Sequence, residues 1–230
     1  MLTKIKGAIF DVDGTLLDSM PMWENIAVEY LKKRGITPKP TMKDDMLGLG
    51  SHKLLTYFHN EYGLRETVEE IQFGMYELLE EFYYFKAPVK KGVVPVLNIL
   101  RDNNIKMCIA TATDKWLVEP ALKRLDIIDY FEYVFTCGEE STNKSSPDIF
   151  IRAAEYLGTD IHDTLVVEDA LYAMKSAKGA GFQVAAVYDQ SAHDKQDEIK
   201  GICDYYFISM DEMLELITPS RADGILMPTV

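Results

Sequence analysis

The sequence predicts an α/β fold in which a parallel sheet carries helices on both faces and is interrupted by an all-helical insertion. After Pro88, short apolar segments alternate with segments of helical periodicity, which is typical of a parallel sheet covered on both sides. Residues 5–10 form a further apolar run that ends in a polar turn, and this predicts a first strand of the same sheet. No strand pattern occurs between residues 18 and 88, so we expect the helical block to follow that first strand.

The insertion is predicted to be helical throughout. Ser19 is expected to cap a first helix, which Gly35 would end. Gly48 and Gly50 break the chain before a further short helix. Between residues 67 and 85, apolar side chains recur with the period of an amphipathic helix.

The remaining core is predicted from four apolar runs that alternate with four helical segments. The expected strands cover residues 105–110, 133–136, 164–167 and 184–187. The expected helices cover residues 94–103, 116–125, 147–157 and 170–179. This alternation indicates a Rossmann-like core. The predicted organisation is a core of residues 1–17 and 89–218, an insertion of residues 18–88 and a tail of residues 219–230.

Composition and charge exclude several classes of protein. A hydrophobic fraction of 47% with 27% charged residues is that of a folded chain, which excludes general disorder. The net charge of −13 argues against a nucleic-acid partner, because such proteins present a basic face. No apolar stretch reaches the roughly 18 residues that span a bilayer, and no signal-peptide pattern is present, so we expect a cytoplasmic protein without a membrane partner. Three cysteines without metal-ligand spacing fit a reducing compartment.

Polar side chains follow the predicted strands at the point where each strand ends. They are Asp11 and Asp13 after the first strand, Thr111 and Thr113 after the second, and Glu168 and Asp169 after the fourth. Lys144 lies in a loop between the last two of these groups. Because ligands of open parallel sheets bind at the carboxyl ends of the strands, we expect these side chains to converge on one edge of the sheet.

Four carboxylates at one place would repel one another and raise one another's pKa values. A hard divalent cation removes this repulsion, and Mg²⁺ fits because proteins usually hold it with one or two carboxylates and a phosphate group. The lysine and the hydroxyl groups then suit the remaining phosphate oxygens. Gly14 permits a tight turn whose N–H groups face an anion. The sequence therefore predicts a site for magnesium and a phosphate group.

Four segments resemble, in the same order, the motifs of the haloacid dehalogenase (HAD) superfamily. AIFDVDGTLLDS resembles the first motif, IATAT the second, KSSPDIF the lysine motif and VVEDALYAMKSAKGAG the acidic fourth motif. The helical insertion is similar to the small α-helical cap of the phosphoglycolate phosphatase and β-phosphoglucomutase branch. The resemblance implies a HAD-like core with an inserted all-α cap domain.

The resemblance also implies roles in a phosphoryl-transfer reaction. Asp11 would attack phosphorus and form an aspartyl-phosphate. Asp13 would protonate the leaving oxygen and later activate water. Thr111, Ala112 and Lys144 would bind the phosphate group.

The implied metal ligands lie in the first and fourth motifs. Asp11 and Asp169 would bind Mg²⁺ through their carboxylates, and Asp13 through its main-chain carbonyl. For Glu168, three roles stay open: a direct ligand, a partner of a ligand, or a solvated carboxylate.

Substrate choice is expected to reside in the insertion. Ser51, His52 and Lys53 occupy the place where related caps carry a specificity loop. His52 and Lys53 would then meet an anionic or polar leaving group, and the alternative is a solvated helix start. Trp23 would either stack on a substrate ring or pack inside the cap, and packing is the favoured interpretation.

We therefore expect a Mg²⁺-dependent phosphoric monoester hydrolase. Its substrate would be a small phosphorylated metabolite, such as a sugar phosphate or a nucleotide-like monophosphate, and the protein would act as a monomer. The alternative is a sugar-phosphate mutase like β-phosphoglucomutase. Related mutases carry a histidine twelve residues after the nucleophile, where this chain has Trp23, and an arginine that this cap loop lacks. Both differences favour hydrolysis, and Asp13 argues against the phosphonatase and dehalogenase branches, which lack it.

Overall fold

A computed structural model describes residues 5–46, 49 and 51–218, without the side chains at positions 43, 51 and 52. The predicted break at Gly48 and Gly50 and the predicted tail of residues 219–230 lie outside the described residues. Contacts divide the chain into two units. The first holds the described residues up to Asp18 and from Pro88 onward, and the second is Ser19–Ala87.

The first unit is built on a parallel sheet of six strands. The strands are β1 (Gly7–Phe10), β2 (Lys106–Thr111), β3 (Val134–Thr136), β4 (Thr164–Glu168), β5 (Gln183–Val187) and β6 (Tyr205–Phe207). Their spatial order is β3-β2-β1-β4-β5-β6, with β1 between β2 and β4. Every residue of β1 is buried, as expected for a strand covered on both faces. The carboxyl ends of all six strands therefore point to the same edge.

The second unit contains four helices within its described part. They are α1 (Met20–Lys33), α2 (Met42–Met46), α3 (Ser51–Glu61) and α4 (Val68–Phe85). These helices share a core that includes the fully buried Tyr30, Leu31, Phe58 and Ile71. At the start of α4, Thr67 Oγ1 accepts a hydrogen bond from Glu70 N, and Glu70 Oε2 accepts one from Thr67 N, which is a capping box. The unit is all-helical, as predicted for the insertion.

Six further helices accompany the sheet in the described part of the first unit. They are α5 (Val93–Asp102), α6 (Lys115–Arg124), α7 (Asp148–Leu157), α8 (Leu171–Gly179), α9 (Gln196–Ile202) and α10 (Met210–Ile217). The core combines apolar residues of the strands with the inner faces of these helices, for example Ile9, Val166 and Phe150. The predicted fold class, a Rossmann-like α/β sheet with helices and an inserted all-helical unit, is confirmed.

The segments that leave and re-enter the first unit are hydrogen-bonded to each other. Leu17 and Val89 form an antiparallel bridge. It is flanked by hydrogen bonds from Asp18 N to Pro88 O at 3.0 Å and from Lys90 N to Leu16 O at 2.8 Å. A short two-stranded connection thus marks both ends of the insertion.

The predicted position of Ser19 at the start of α1 is confirmed, but side-chain capping is not. Ser19 is the N-cap residue, but its side chain makes no capping hydrogen bond. Its backbone has φ −111° and ψ −15° instead of the extended conformation that directs a capping oxygen toward the first turn. Among the described residues, no helix is both long and apolar enough to cross a membrane.

Candidate active site

Three carboxylates meet where β1 and β4 end. Asp11 follows β1, Glu168 is the last residue of β4, and Asp169 comes next. One oxygen of each lies within 4.8 Å of the others, and all three residues are buried. Phe10 pairs with Val167 in the sheet, so the next residues along both strands are brought side by side. The structure therefore brings together three of the four carboxylates that the sequence assigned to the metal.

Lys144 forms ion pairs with two of these carboxylates. Its Nζ donates hydrogen bonds to Asp11 Oδ1 and, at 2.6 Å, to Glu168 Oε1. The side chain is 2% exposed. The main-chain carbonyl of Lys144 accepts a hydrogen bond from Ser176 Oγ on α8 at 2.5 Å, which ties the lysine loop to that helix. The ammonium group predicted to bind phosphate is thus held beside Asp11.

Both oxygens of Glu168 have donors within the protein. Oε1 accepts from Lys144, as described above, and Oε2 accepts from the main-chain N–H groups of Asp169 and Ala170, each at 3.0 Å. Glu168 is fully buried. The side chain therefore links the lysine to the first residues after β4.

Asp13 stands apart from this group of three carboxylates. Its Oδ2 accepts a hydrogen bond of 2.6 Å from Thr113 Oγ1. Thr113 N in turn donates to Thr111 Oγ1 at 3.1 Å, so the two threonines at the carboxyl end of β2 form a small network. Ala112, between them, is exposed. The sequence predicts the Thr113 hydroxyl at this edge of the sheet, but it does not predict the hydrogen bond to Asp13.

The loop between Asp11 and the end of the first motif is a tight turn. Gly14 has φ +82°, which favours glycine, and its N–H donates to Leu17 O at 2.9 Å. Thr15 Oγ1 lies 3.4 Å from Asp169 Oδ1. The loop thereby connects the first motif to the residues that follow β4.

Burial and crowding shift the pKa values of the site in the metal-free protein. Burial, then the charges of Glu168 and Asp13, raise the pKa of Asp11 against the opposing effect of Lys144. Burial and the charges of Glu168 and Asp11 raise the pKa of Asp169. Burial lowers the pKa of Lys144, but its two carboxylate partners outweigh this and raise it above its usual value.

The donor set fits a hard divalent cation. When ionised, the three grouped carboxylates and the one ammonium carry two uncompensated negative charges in a buried place. Such charges are costly unless a cation balances them. Carboxylate oxygens are the ligands that Mg²⁺ prefers. Burial first and neighbouring carboxylates second raise the pKa values of Asp11 and Asp169, and a bound cation would oppose both effects.

A protein-family comparison decides which family carries this site. The model described as haloacid dehalogenase-like hydrolase matches residues 8–187, well over half of the chain. The chain belongs to the haloacid dehalogenase-like hydrolases. The match includes the segments around Asp11, Thr111, Lys144 and Asp169, and the family membership predicted from the motifs is confirmed.

Individual relatives of this HAD hydrolase are distant but nearly full-length. Hexitol phosphatase B of Escherichia coli is 24% identical over 229 residues, covering 97% of each chain. Phosphoglycolate phosphatase of Nitrosospira multiformis is 27% identical over 221 residues, covering 94% of this chain and 97% of its own. The crystal structure of a HAD hydrolase of family IA, variant 3, from Entamoeba histolytica matches with a TM-score of 0.74 at 21% identity, covering 93% of this chain and 99% of its own. The structural likeness supports the fold, and the predicted class of enzyme, a HAD-superfamily hydrolase, is confirmed.

The residues that the sequence assigned to substrate choice lie in the second unit of the hydrolase. Trp23 Nε1 donates a hydrogen bond to the Oη atom of the fully buried Tyr83 at 2.8 Å, which joins α1 to α4 and favours a packing role. Lys53 is exposed on α3. Ser51 and His52 begin α3, and their side chains lie outside the described residues.

Lys90 is a residue that the sequence analysis missed. Its Nζ donates to Gly14 O in the loop after β1 and to Asp189 Oδ2. No pattern links these positions in the sequence, since Lys90 lies 76 positions from Gly14. Only the folded chain places them together.

Proposed function

We propose that this HAD hydrolase is a Mg²⁺-dependent phosphatase that hydrolyses a small phosphorylated metabolite through an aspartyl-phosphate on Asp11. The observation that carries the proposal is the buried Asp11 carboxylate, held by Lys144 on one oxygen and grouped with Glu168 and Asp169. A carboxylate in this setting suits attack on a phosphate ester, because the Lys144 ammonium, together with Mg²⁺ when bound, would offset the charge of the phosphoryl group.

The proposed reaction has two steps. A carboxylate oxygen of Asp11 attacks phosphorus and forms a new P–O bond, while the bond from phosphorus to the ester oxygen breaks and that oxygen takes a proton from Asp13. Water then attacks phosphorus and gives a proton to Asp13, and the bond to Asp11 breaks to release inorganic phosphate. The hydrogen bond from Thr113 supports this role, since it orients the Asp13 carboxylate.

Asp11, Asp169 and the main-chain carbonyl of Asp13 are the proposed holders of Mg²⁺, which would balance the charge on the transferring group when bound. Glu168 is proposed to act through its partners, because both of its oxygens already have protein donors. It would hold the Lys144 ammonium and the main chain at Asp169 in place.

The phosphate group is proposed to contact Thr111, Ala112 and Lys144. Lys144 supports this assignment because its ammonium group adjoins Asp11, where a transferred phosphoryl group would be attached. Thr111 is buried at the end of β2, and Ala112 is exposed immediately after it. These positions suit a hydroxyl and a main-chain N–H as donors to phosphate oxygens.

We further propose a phosphorylated polyol, sugar or short hydroxy acid as substrate. The support is that near full-length relatives are a hexitol phosphatase and a phosphoglycolate phosphatase. The strongly acidic chain does not oppose this choice, because the cation and Lys144 determine the local field at the phosphate. We also propose that Lys53, with Ser51 and His52, contributes to discrimination among such substrates.

A phosphate-release assay tests the proposed function. The purified chain is incubated with polyol phosphates, sugar phosphates, phosphoglycolate and nucleoside monophosphates, with Mg²⁺ or with a chelator. We expect Mg²⁺-dependent phosphate release by the wild type and by Asp102→Asn, a control at an exposed carboxylate. Asp11→Asn should retain less than about 1% of the activity, because losing a covalent nucleophile costs several powers of ten.

Two results would contradict the proposal. One is full activity of Asp11→Asn. The other is movement of phosphate from one hydroxyl of a sugar to another without release, observed by phosphorus NMR, which would support the mutase alternative.

A further inference from the structure

Lys90 has all the hydrogen-bond partners that an ammonium group can use. Its Nζ lies 2.6 Å from Gly14 O, 2.8 Å from Asp189 Oδ2 and 3.1 Å from Tyr188 O. The side chain is 18% exposed. An ammonium group has three donors and no acceptor, so every N–H of Lys90 is engaged.

The Asp189 carboxylate is oriented by hydrogen bonds other than the one from Lys90. Its Oδ1 accepts hydrogen bonds from Ser191 N at 3.0 Å and Ser191 Oγ at 2.7 Å, which leaves Oδ2 for the lysine. Burial raises the pKa of Asp189, but the hydrogen bonds from Lys90 and Ser191 outweigh it and hold this pKa below its usual value. Lys90 therefore meets an ionised and rigidly oriented carboxylate after β5.

The Gly14 carbonyl is the part of this arrangement that bears on the reaction. Gly14 separates Asp13 from Thr15, and Thr15 Oγ1 approaches Asp169. A glycine at φ +82° has an unusually wide choice of backbone conformations, so the orientation of its peptide group must be fixed by other contacts. Lys90 holds the carbonyl oxygen of that peptide group, and the main-chain N–H of Lys90 also binds Leu16 O in the same loop.

We propose that Lys90 is a positioning residue of the hydrolase, which fixes the Gly14 peptide and through it the relative placement of Asp13 and Thr15. A misplacement of about 1 Å in an active site can cost two powers of ten in rate. The lysine itself touches none of the reacting atoms. The kinetic part of this inference rests on the proposed phosphatase function, and its structural part does not.

The test compares Lys90→Met with two controls. Lys91→Met makes the same change one residue away, where the lysine is 89% exposed and bonds Asp211 on the surface. Asp189→Asn removes the charge of the ion pair while Lys90 can still donate to Gly14 O. All variants are assayed for kcat and KM, for thermal unfolding, and for amide hydrogen exchange.

The exchange measurement has natural reporters in the loop. The N–H groups of Thr15, Leu16 and Leu17 all donate to Val12 O, and Gly14 N donates to Leu17 O. Lys90→Met should accelerate exchange at residues 14–17 while the amides of β1 and β4 keep their wild-type rates. Lys91→Met should leave both regions unchanged.

The expected kinetic result is a kcat lowered by roughly 10- to 100-fold in Lys90→Met, with KM changed by less than about threefold, since binding groups stay in place. Asp189→Asn should lower the melting temperature but keep kcat within about threefold of the wild type. That contrast separates positioning of the loop from simple stabilisation by an ion pair.

Three outcomes would overturn the inference. The first is a folded Lys90→Met with wild-type kcat and wild-type exchange at residues 14–17. The second is faster exchange spread evenly over β1, β4 and the loop, which indicates a general loss of stability. The third concerns the case in which Lys90→Met does not fold. Lys90→Gln is then measured in the same way, and a wild-type kcat together with wild-type exchange at residues 14–17 would overturn the inference. If the wild type releases no phosphate, the proposed function fails, and the exchange measurement alone decides the role of Lys90.

Discussion

Thr113 donates a 2.6 Å hydrogen bond to the carboxylate of Asp13 across the adjacent ends of β2 and β1. The threonine N–H is bound to Thr111 Oγ1, so the donor is anchored at its own strand end. A proton-transferring carboxylate needs a defined orientation toward the oxygen it serves. Thr113 supplies a contact that can maintain this orientation.

Removing this hydroxyl should slow the reaction. Thr113→Val keeps the shape of the side chain but deletes the donor, and we expect kcat to fall by about tenfold, since a hydrogen bond to a charged group is worth roughly 1.5–3 kcal/mol. Thr218→Val, after the end of α10, is the matched control. Steady-state kinetics measure the effect, and an unchanged kcat in Thr113→Val would remove the threonine from the mechanism.

Asp169 and Glu168 should differ in their effect on Mg²⁺. Asp169→Asn is expected to raise the Mg²⁺ concentration for half-maximal activity by about tenfold or more, because a charged ligand oxygen is lost. Glu168→Gln should raise it less, since the oxygens of Glu168 are occupied by Lys144 and by main-chain donors. Activity measured over a Mg²⁺ titration gives both values. A larger shift for Glu168→Gln than for Asp169→Asn would reverse the proposed roles.

The stabilising effect of Mg²⁺ should grow with pH. The pKa values of Asp11 and Asp169 in the metal-free fold lie above the value of about 3.9 expected when unfolded. From mildly acidic to mildly alkaline pH, the metal-free folded state therefore retains protons that the unfolded chain has already lost. Its stability falls as pH rises toward those raised pKa values. Mg²⁺ bound at these carboxylates, as proposed, would replace the protons and restore this stability.

The melting temperature is measured at about pH 5.5 and about pH 8, with Mg²⁺ or with a chelator. Both pH values lie above the ordinary pKa of a carboxylate. The gain in melting temperature from Mg²⁺ should be larger at the higher pH, and the double variant Asp11→Asn, Asp169→Asn should show little gain at either. An equal gain at both pH values would mean that Mg²⁺ does not compete with protons at these carboxylates.

Changes at the start of α3 should affect substrates unequally. His52→Ala combined with Lys53→Ala is expected to lower kcat/KM for the best metabolite by at least about tenfold, and that for a small aryl phosphate by less than about threefold. The reason is that the phosphate chemistry is assigned to residues of the first unit. Glu69→Ala, on the exposed start of α4, serves as the control. Equal losses for both substrates would assign this segment a structural role only.

The sequence predicts those site residues that lie at the carboxyl ends of strands. Asp11, Thr111 and Asp169 each come directly after, or at, the end of a buried strand, and parallel pairing makes those ends coincide. The contact of Lys90 with Gly14 has no such signal, because it depends on where the chain re-enters the first unit. The ionic contacts of Lys144 were likewise beyond prediction, since loop geometry determines which oxygens an ammonium reaches.

The elements of the fold that the sequence did not predict, β6, α9 and the eight-residue α10, are short and lie near the carboxyl end of the chain. β6 has three residues, two of them only partly buried, and this is too little for a recognisable apolar run. α9 has seven residues, which is less than two full helical periods of pattern. The long and strongly periodic α4 was predicted to within one residue of its start.

The hydrogen-bonded pair of segments around Leu17 and Val89 has an evolutionary consequence. The chain leaves and re-enters the first unit through adjacent, antiparallel segments. The residues between them are therefore an insertion whose two ends are already held together. A tight turn of a few residues could join these ends directly, and a module of another size could replace the helical one without disturbing a strand of the sheet. The paired segments therefore allow the helical unit to be exchanged in evolution while the strands and the polar residues at their ends stay in place.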